Sequence, residues 1–104
     1  MDAFIALADP TRREIVSLLA AGERNAGEIA GRFTIAGPSV SRHLRVLREA
    51  GVIGYRQRAQ ARIYYLEPAA LDEVRQWMQV QLDLFRARFD LLDTHLDRMK
   101  ERGD

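Results

Sequence analysis

Apolar residues recur along the chain in two rhythms, and the switches between them mark its elements. Residues 2–8 hold Phe4, Ile5 and Leu7 close together, which predicts a helical turn or two that packs on something other than the small body that follows. Ile15, Leu18 and Leu19, with Val16 beside them, then mark one face of a helix. Asp9 and Pro10 fit its N-cap and first position, and Gly22 its stop. Asn25 and Glu28 stand at capping-box spacing ahead of Ile29, Ala30 and Phe33, the buried face of a shorter helix. Across a turn at residues 34–37, Val40, Leu44 and Leu47 form the apolar stripe of a helix over about 37–50, with Gly51 where it stops. A short helix, a tight turn and an exposed basic second helix make a helix-turn-helix.

At residue 52 the rhythm changes. Residues 52–58 and 61–66 are rich in Val, Ile and Tyr and predict a two-stranded hairpin over about 52–66. Ala59 and Gln60 between them lack the Gly or Asn of a tight primed turn, so the expected tip is longer and mobile. Helical spacing returns at Leu71 and runs through Val74, Met78, Leu82, Phe85, Phe89, Leu92, Leu96 and Met99, with Trp77, Val80, Leu84 and Leu91 in a second row. This predicts one helix over about 69–101, opened by Glu67 and Pro68. At 1.5 Å per residue, a helix of roughly 30 residues is about 45 Å long. The body ahead of it is too small to cover both rows, so the remainder calls for a second chain. Phe4, Leu7, Phe85, Phe89, Leu92, Leu96 and Met99 are the expected surface of a homodimer.

At 104 residues the chain is expected to form one domain over 1–104, mostly α with a small β-hairpin. It has no cysteine, which excludes disulfides and thiolate metal sites and fits a reducing cytoplasm. No apolar run approaches a membrane span, and the Met-Asp start does not read as a signal peptide. The net charge of +1 is uninformative, but its distribution is not. From Arg32 to Arg62 there are seven arginines against one acid, Glu49, a net +6 that leaves −5 for the remainder. A basic middle with acidic flanks suits a polyanionic partner.

That basic middle coincides with the exposed helix. Ser39, Ser41, Arg42, Arg45 and Arg48 all fall off its apolar stripe. Arg pairs bidentately with phosphate or with the major-groove edge of guanine, Ser reaches phosphate at short range, and a helix fits the major groove. His43 in the same helix is expected to be a DNA contact or a packing residue. Arg56, Arg58 and Arg62 lie near the hairpin tip, where an arm reaches phosphate or a minor groove. The plainer alternatives are a solvated basic helix and a purely structural hairpin. No Ser–His–acid set, Cys–His pair or Gly-rich phosphate loop is present, so no catalytic residue, cofactor or enzymatic role is expected. Asp90, Asp93, His95 and Asp97 cluster on the long helix, but one imidazole among aspartates reads better as an acidic solvent face than as a metal site.

Three segments, FIALADPTRREIVSLL, PSVSRHLRVLREAGVI and ARIYYLEP, together resemble the ArsR family of winged-helix repressors along nearly the whole chain. Within the family the chain is most similar to the small metal-independent, SdpR-like members. The resemblance implies a winged helix-turn-helix with a long C-terminal dimerisation helix, and a homodimer joined by its first and last helices. It places Ser39, Ser41, Arg42, His43 and Arg45 on the DNA-reading helix and Arg56, Arg58, Gln60 and Arg62 on the wing. Members that sense metals carry a cysteine pair before the reading helix; here that stretch is NAGEIAGRF. Those that sense zinc pair His and carboxylates on the last helix; here His95 stands alone among aspartates. Ala36 also replaces the capping Ser that the family often has, unless Gly37 serves as the cap. The leading expectation is a homodimeric repressor, in some cases of its own gene, that binds a palindromic double-stranded DNA operator. The alternatives are the same fold gated by a metal or by an organic ligand beside Trp77, Phe85 and Phe89, and a helix-mediated protein adaptor. The sequence identifies no inducer.

Overall fold

The computed structural model describes residues 2–101 and 103. Its elements are α1 (Ala3–Ala6), α2 (Pro10–Ala21), β1 (Arg24–Asn25), α3 (Ala26–Ala30), α4 (Gly37–Glu49), β2 (Ile53–Arg58), β3 (Ala61–Leu66) and α5 (Pro68–Glu101). The chain divides into two compact units, residues 1–74 and 75–104.

Among the described residues, the first unit holds every buried side chain, and its helices begin and end where local chemistry allows. Asp9 caps α2 by accepting the Arg12 N–H at 3.0 Å, with Pro10 in the first turn. Asn25 and Glu28 close a reciprocal capping box on α3, at 2.8 Å and 3.1 Å. At the end of α4 the cap is Ala50, and Gly51 follows it at φ +75°. The Gly51 N–H reaches the Arg48 carbonyl and the Val52 N–H the Leu47 carbonyl, both at 3.0 Å. That paired closure is a Schellman motif, and Leu47 and Val52, both fully buried, supply its apolar contact.

The sheet has three antiparallel strands in the order β1-β3-β2. The hairpin register pairs Ile53 with Leu66, Tyr55 with Tyr64, Gln57 with Arg62 and Arg58 with Ala61. Only Ala59 and Gln60 are left for the turn, so the tip is tight rather than long. Ala59 closes it at φ +55°, a left-handed conformation that costs a non-glycine residue about 1–2 kcal/mol. Gly54 matters for a different reason: a Cβ there would lie 2.8 Å from the end of the Tyr65 ring across the strand pair, so a larger residue must displace that ring. Strand β1, which pairs Arg24 with Tyr64 and Asn25 with Ile63, joins the helical segment to the hairpin.

The core gathers Ile15 and Leu19 of α2, Ile29 of α3, Val40, Leu44 and Leu47 of α4, and Val52, Ile53 and Tyr64 of the hairpin region. From α1 it takes Ala3 and Ala6, which corrects the expectation that this segment packs away from its own body. Leu7 also packs against the core, half-buried, whereas Phe4 is 40% exposed. The small alanines let a one-turn helix lie close, and its bulkier residues fall on the outer face.

The second unit is the rest of α5. No residue of that helix is buried. Leu92 and Leu96 are about half exposed, and Phe85 and Phe89 meet edge to face with centroids 4.7 Å apart. Among the described residues no helix is long and apolar enough to cross a membrane, and no three His, Asp or Glu side chains converge as a metal site.

Candidate nucleic-acid interface

Helix α4 presents two distinct flanks because 3.6 residues make a turn. With Val40, Leu44 and Leu47 turned into the core, Ser41, Arg45 and Arg48 come to one side, Arg42 to the outer face, and His43 to the opposite side. The hairpin adds to the first side. Strand alternation puts Tyr55, Gln57, Arg62 and Tyr64 on one face of the β2–β3 pair, and Arg56, Arg58, Ala61 and Tyr65 on the other. A groove therefore lies between α4 and the inner face of the hairpin, and Pro38, Ser41, Arg42, Arg45, Arg48, Arg62 and Tyr64 line it. Four guanidinium groups share it with no carboxylate. A second groove, between the start of α3 and the hairpin tip, is lined in part by Asn25, Gln57, Gln60 and Arg62.

Of the residues singled out from sequence, the structure brings together Ser41, Arg42, Arg45 and Arg62, with Gln60 at the adjoining groove. Ser39 is exposed on the first turn of α4. Arg58 is exposed on the other face of the hairpin. Arg56, on that same face, is already engaged: its Nη1 donates to Glu23 Oε1 at 2.8 Å and its Nη2 to Oε2. The pair is solvent-exposed; the Arg56 hydrogen bond holds the Glu23 carboxyl below its usual range, and Glu23 pushes Arg56 higher still.

His43 is set apart from the arginines. Its side chain is 14% exposed, and its Nδ1 lies 3.4 Å from Arg12 Nη1 and 4.0 Å from Asp9 Oδ2. A guanidinium only donates, so a hydrogen bond with Arg12 requires Nδ1 to be the accepting nitrogen, whereas a protonated Nδ1 faces the Asp9 carboxylate instead. Arg12 also donates from Nε to the Ala6 carbonyl at 2.6 Å and from Nη2 to the Ile5 carbonyl at 3.2 Å. One side chain thus ties the end of α1 to α4. The Arg12 N–H that Asp9 accepts holds the Asp9 carboxyl below its ordinary value, against the effect of burial, and His43 and Arg12 lower it further by charge.

Helix α4 itself starts without a side-chain cap. Ala36 is the cap residue and contributes only its carbonyl, which the Ser39 N–H reaches at 3.0 Å; Gly37 is the first helical residue and not the cap.

Arg48, read from sequence on the polar face of α4, joins this groove, whereas Tyr55 lay outside the sequence-derived site. Arg48 stands 5.3 Å from the centroid of the Tyr55 ring, and Arg62 stands 4.3 Å from it. Tyr55 carried no signal beyond its strand propensity. The register that places it diagonal to Arg62 depends on the tight turn, which its residues did not announce.

A helix-turn-helix whose second helix and attached hairpin share an arginine-lined groove defines a winged-helix transcription regulator. Residues 9–55 match the bacterial regulatory protein family arsR. The transcriptional repressor SdpR of Bacillus subtilis is 43% identical over 75 residues, which span 72% of this chain and 83% of that protein. The arsenic resistance transcriptional regulator ArsR1 of Pseudomonas putida is 35% identical over 103 residues, 97% of this chain and 77% of that one. A crystal structure of an ArsR family transcriptional regulator superposes with a TM-score of 0.75 at 32% identity, covering 80% of this chain and 91% of that one. The chain belongs to the ArsR family. Its relatives are transcriptional regulators and not enzymes.

Proposed function

We propose that the chain works in the cytoplasm as a homodimeric repressor that binds a palindromic operator of double-stranded DNA. Each protomer lays α4 in a major groove, with Ser39, Ser41, Arg42 and Arg45 toward base edges and phosphates. The hairpin lies along the flanking backbone. The observation that carries this reading is the groove of Arg42, Arg45, Arg48 and Arg62. Four cations without a carboxylate repel one another in water, and a phosphate backbone relieves that repulsion. Dimerisation rests on the exposed row Phe85, Phe89, Leu92, Leu96 and Met99 of α5 and on the outer side of α1 at Phe4, with Leu7 beside it. Neither a metal nor an organic ligand is needed for this binding.

Footprinting on the DNA upstream of the protein's own gene tests the reading. The expected result is two protected half-sites of inverted sequence, about 34–36 Å apart or a multiple of that spacing, as two-fold symmetry demands. Affinity should fall steeply with salt, because each neutralised phosphate releases counterions. A flat salt dependence, or protection of a single asymmetric site, would reject it.

A further inference from the structure

Tyr64 packs beside Tyr55, its ring centroid 5.7 Å away and tilted by 50°, and two guanidiniums stand near the Tyr55 ring. Arg62 comes from β3 and lies 4.3 Å from the ring centroid; Arg48 comes from the last turn of α4 and lies 5.3 Å from it. Both distances fall within the range of about 6 Å in which a cation is drawn to an aromatic face. Both arginines line the groove beside α4, and among the described residues neither has a carboxylate partner. The contrast with Arg56 is chemical. A carboxylate takes up the N–H edge of Arg56, whereas an aromatic face leaves the N–H groups of a guanidinium in their own plane, unspent.

We propose that Tyr55 is a positioning residue that holds Arg62 and Arg48 ready as a phosphate clamp, with Arg48 a further DNA contact. The ring sits on β2, one cation on β3 and the other on α4, so the clamp also fixes the wing relative to the reading helix. Ordering both side chains before DNA arrives removes part of the entropy that binding otherwise costs. The inference rests on the DNA-binding reading and adds to it which groups are pre-ordered and by what.

The test uses the whole protein and a short random-sequence DNA duplex, because phosphate contacts carry no sequence information. Tyr55→Phe keeps an electron-rich face and should bind like wild type. Pentafluorophenylalanine at position 55 keeps the shape and reverses the charge of the face; it should weaken binding about two- to fivefold. The same fluorinated substitution in an Arg48→Ala, Arg62→Ala background should have no further effect, which a merely structural role of the ring would not produce. The clamp is overturned if the fluorinated ring binds like phenylalanine, or if its loss persists unchanged without the two arginines. A wild-type protein that fails to bind the duplex at low salt overturns the DNA-binding reading and the clamp together, whereas failure of the fluorinated arm alone leaves that reading standing.

Discussion

Helices α4 and α5 carry the same apolar spacing and meet opposite fates. Val40, Leu44 and Leu47 recur every three or four residues and are at most 3% exposed. Leu82, Phe85, Phe89, Leu92 and Leu96 recur at the same intervals in the second unit, and each is 45% exposed or more. Periodicity states only that one face of a helix is to be covered. What covers it depends on how much other apolar surface the chain can bring. The first unit folds three more helices and a sheet around α4; the second has none to offer. The first row is thus spent on folding, and the second remains available for assembly.

The comparison breaks most sharply at the second row. Replacing Leu92 and Leu96 together with Glu sets four carboxylates against an apolar interface in a dimer, at a cost above about 5 kcal/mol. Sedimentation of the variant should show monomers at concentrations where wild type is dimeric, with the helical content of the first unit retained. A wild type that sediments as a monomer would remove the dimer from the proposed function. In the first unit the counterpart is Leu47, fully buried. Leu47→Ala leaves a cavity and should lower unfolding free energy by about 2–5 kcal/mol, read from urea midpoints at fixed protein concentration. Leu92→Ala, in contrast, should weaken the dimer, so that sedimentation shows it dissociating at higher protein concentration than wild type.

Most of the first unit was legible because its signals are local. The Asp9-Pro10 start, the Asn25–Glu28 box and the Gly51 stop each act within a few residues, and the structure shows all three. The two strands of the hairpin also fell where their composition put them. What was missed is non-local or too short to have a period. Strand β1 is two residues long and exists only through its pairing with β3. Glu23 and Arg56 are 33 residues apart, and nothing near either one announces the other. Ala59 adopts a positive φ that its type disfavours, so the turn is dictated by the strands it joins. Once that turn is known, the two-residue period separates Arg62 from Arg58, which look equivalent in sequence.

That separation sharpens the contrast within α4, whose buried row sets the angle of its arginines. Arg42→Ala or Arg45→Ala should lose about 1–3 kcal/mol on the operator and discriminate less at one base pair per half-site, if either reads a base edge. Arg62→Ala should weaken operator and random DNA alike and lower the salt slope by about one unit. Arg58→Ala, on the far face of the hairpin, should do less of both. Affinities on operator, point-mutated operator and random duplex at several salt concentrations check all four. Equal losses from Arg58 and Arg62 would mean that both faces of the wing meet DNA.

A smaller effect should come from the start of α4. Ala36 offers no side-chain oxygen, and the second helical residue, Pro38, has no N–H to cap. Ala36→Ser supplies an acceptor for the Ser39 N–H and should raise stability by about 0.5–1 kcal/mol. Thermal unfolding measures it, and an unchanged midpoint would show that the carbonyl contact already satisfies that turn.

The smallest predicted effect is a pH dependence, and it lies where α2 meets α4. The Asp9 carboxylate accepts the Arg12 N–H and faces His43 on the reading helix. These groups favour its charged form, so its folded value lies below the ordinary 3.8. A carboxyl with a depressed folded value contributes stability that is full above the unfolded value and lost as pH falls through the folded one. Neutral solution is therefore the stabilised side, and the loss belongs below about pH 4. Asp9→Asn separates this contribution from acid unfolding in general, because Asn also caps a helix but does not titrate. At neutral pH the variant should be slightly less stable than wild type, having lost the charge that faces the α2 N-terminus and His43. On acidification the two urea midpoints should converge, since protonated Asp9 offers no more than Asn does. A constant difference down to the acid limit would show that the Asp9 charge adds nothing to the cap, and that α2 and α4 are held together at this point by Arg12 and packing alone.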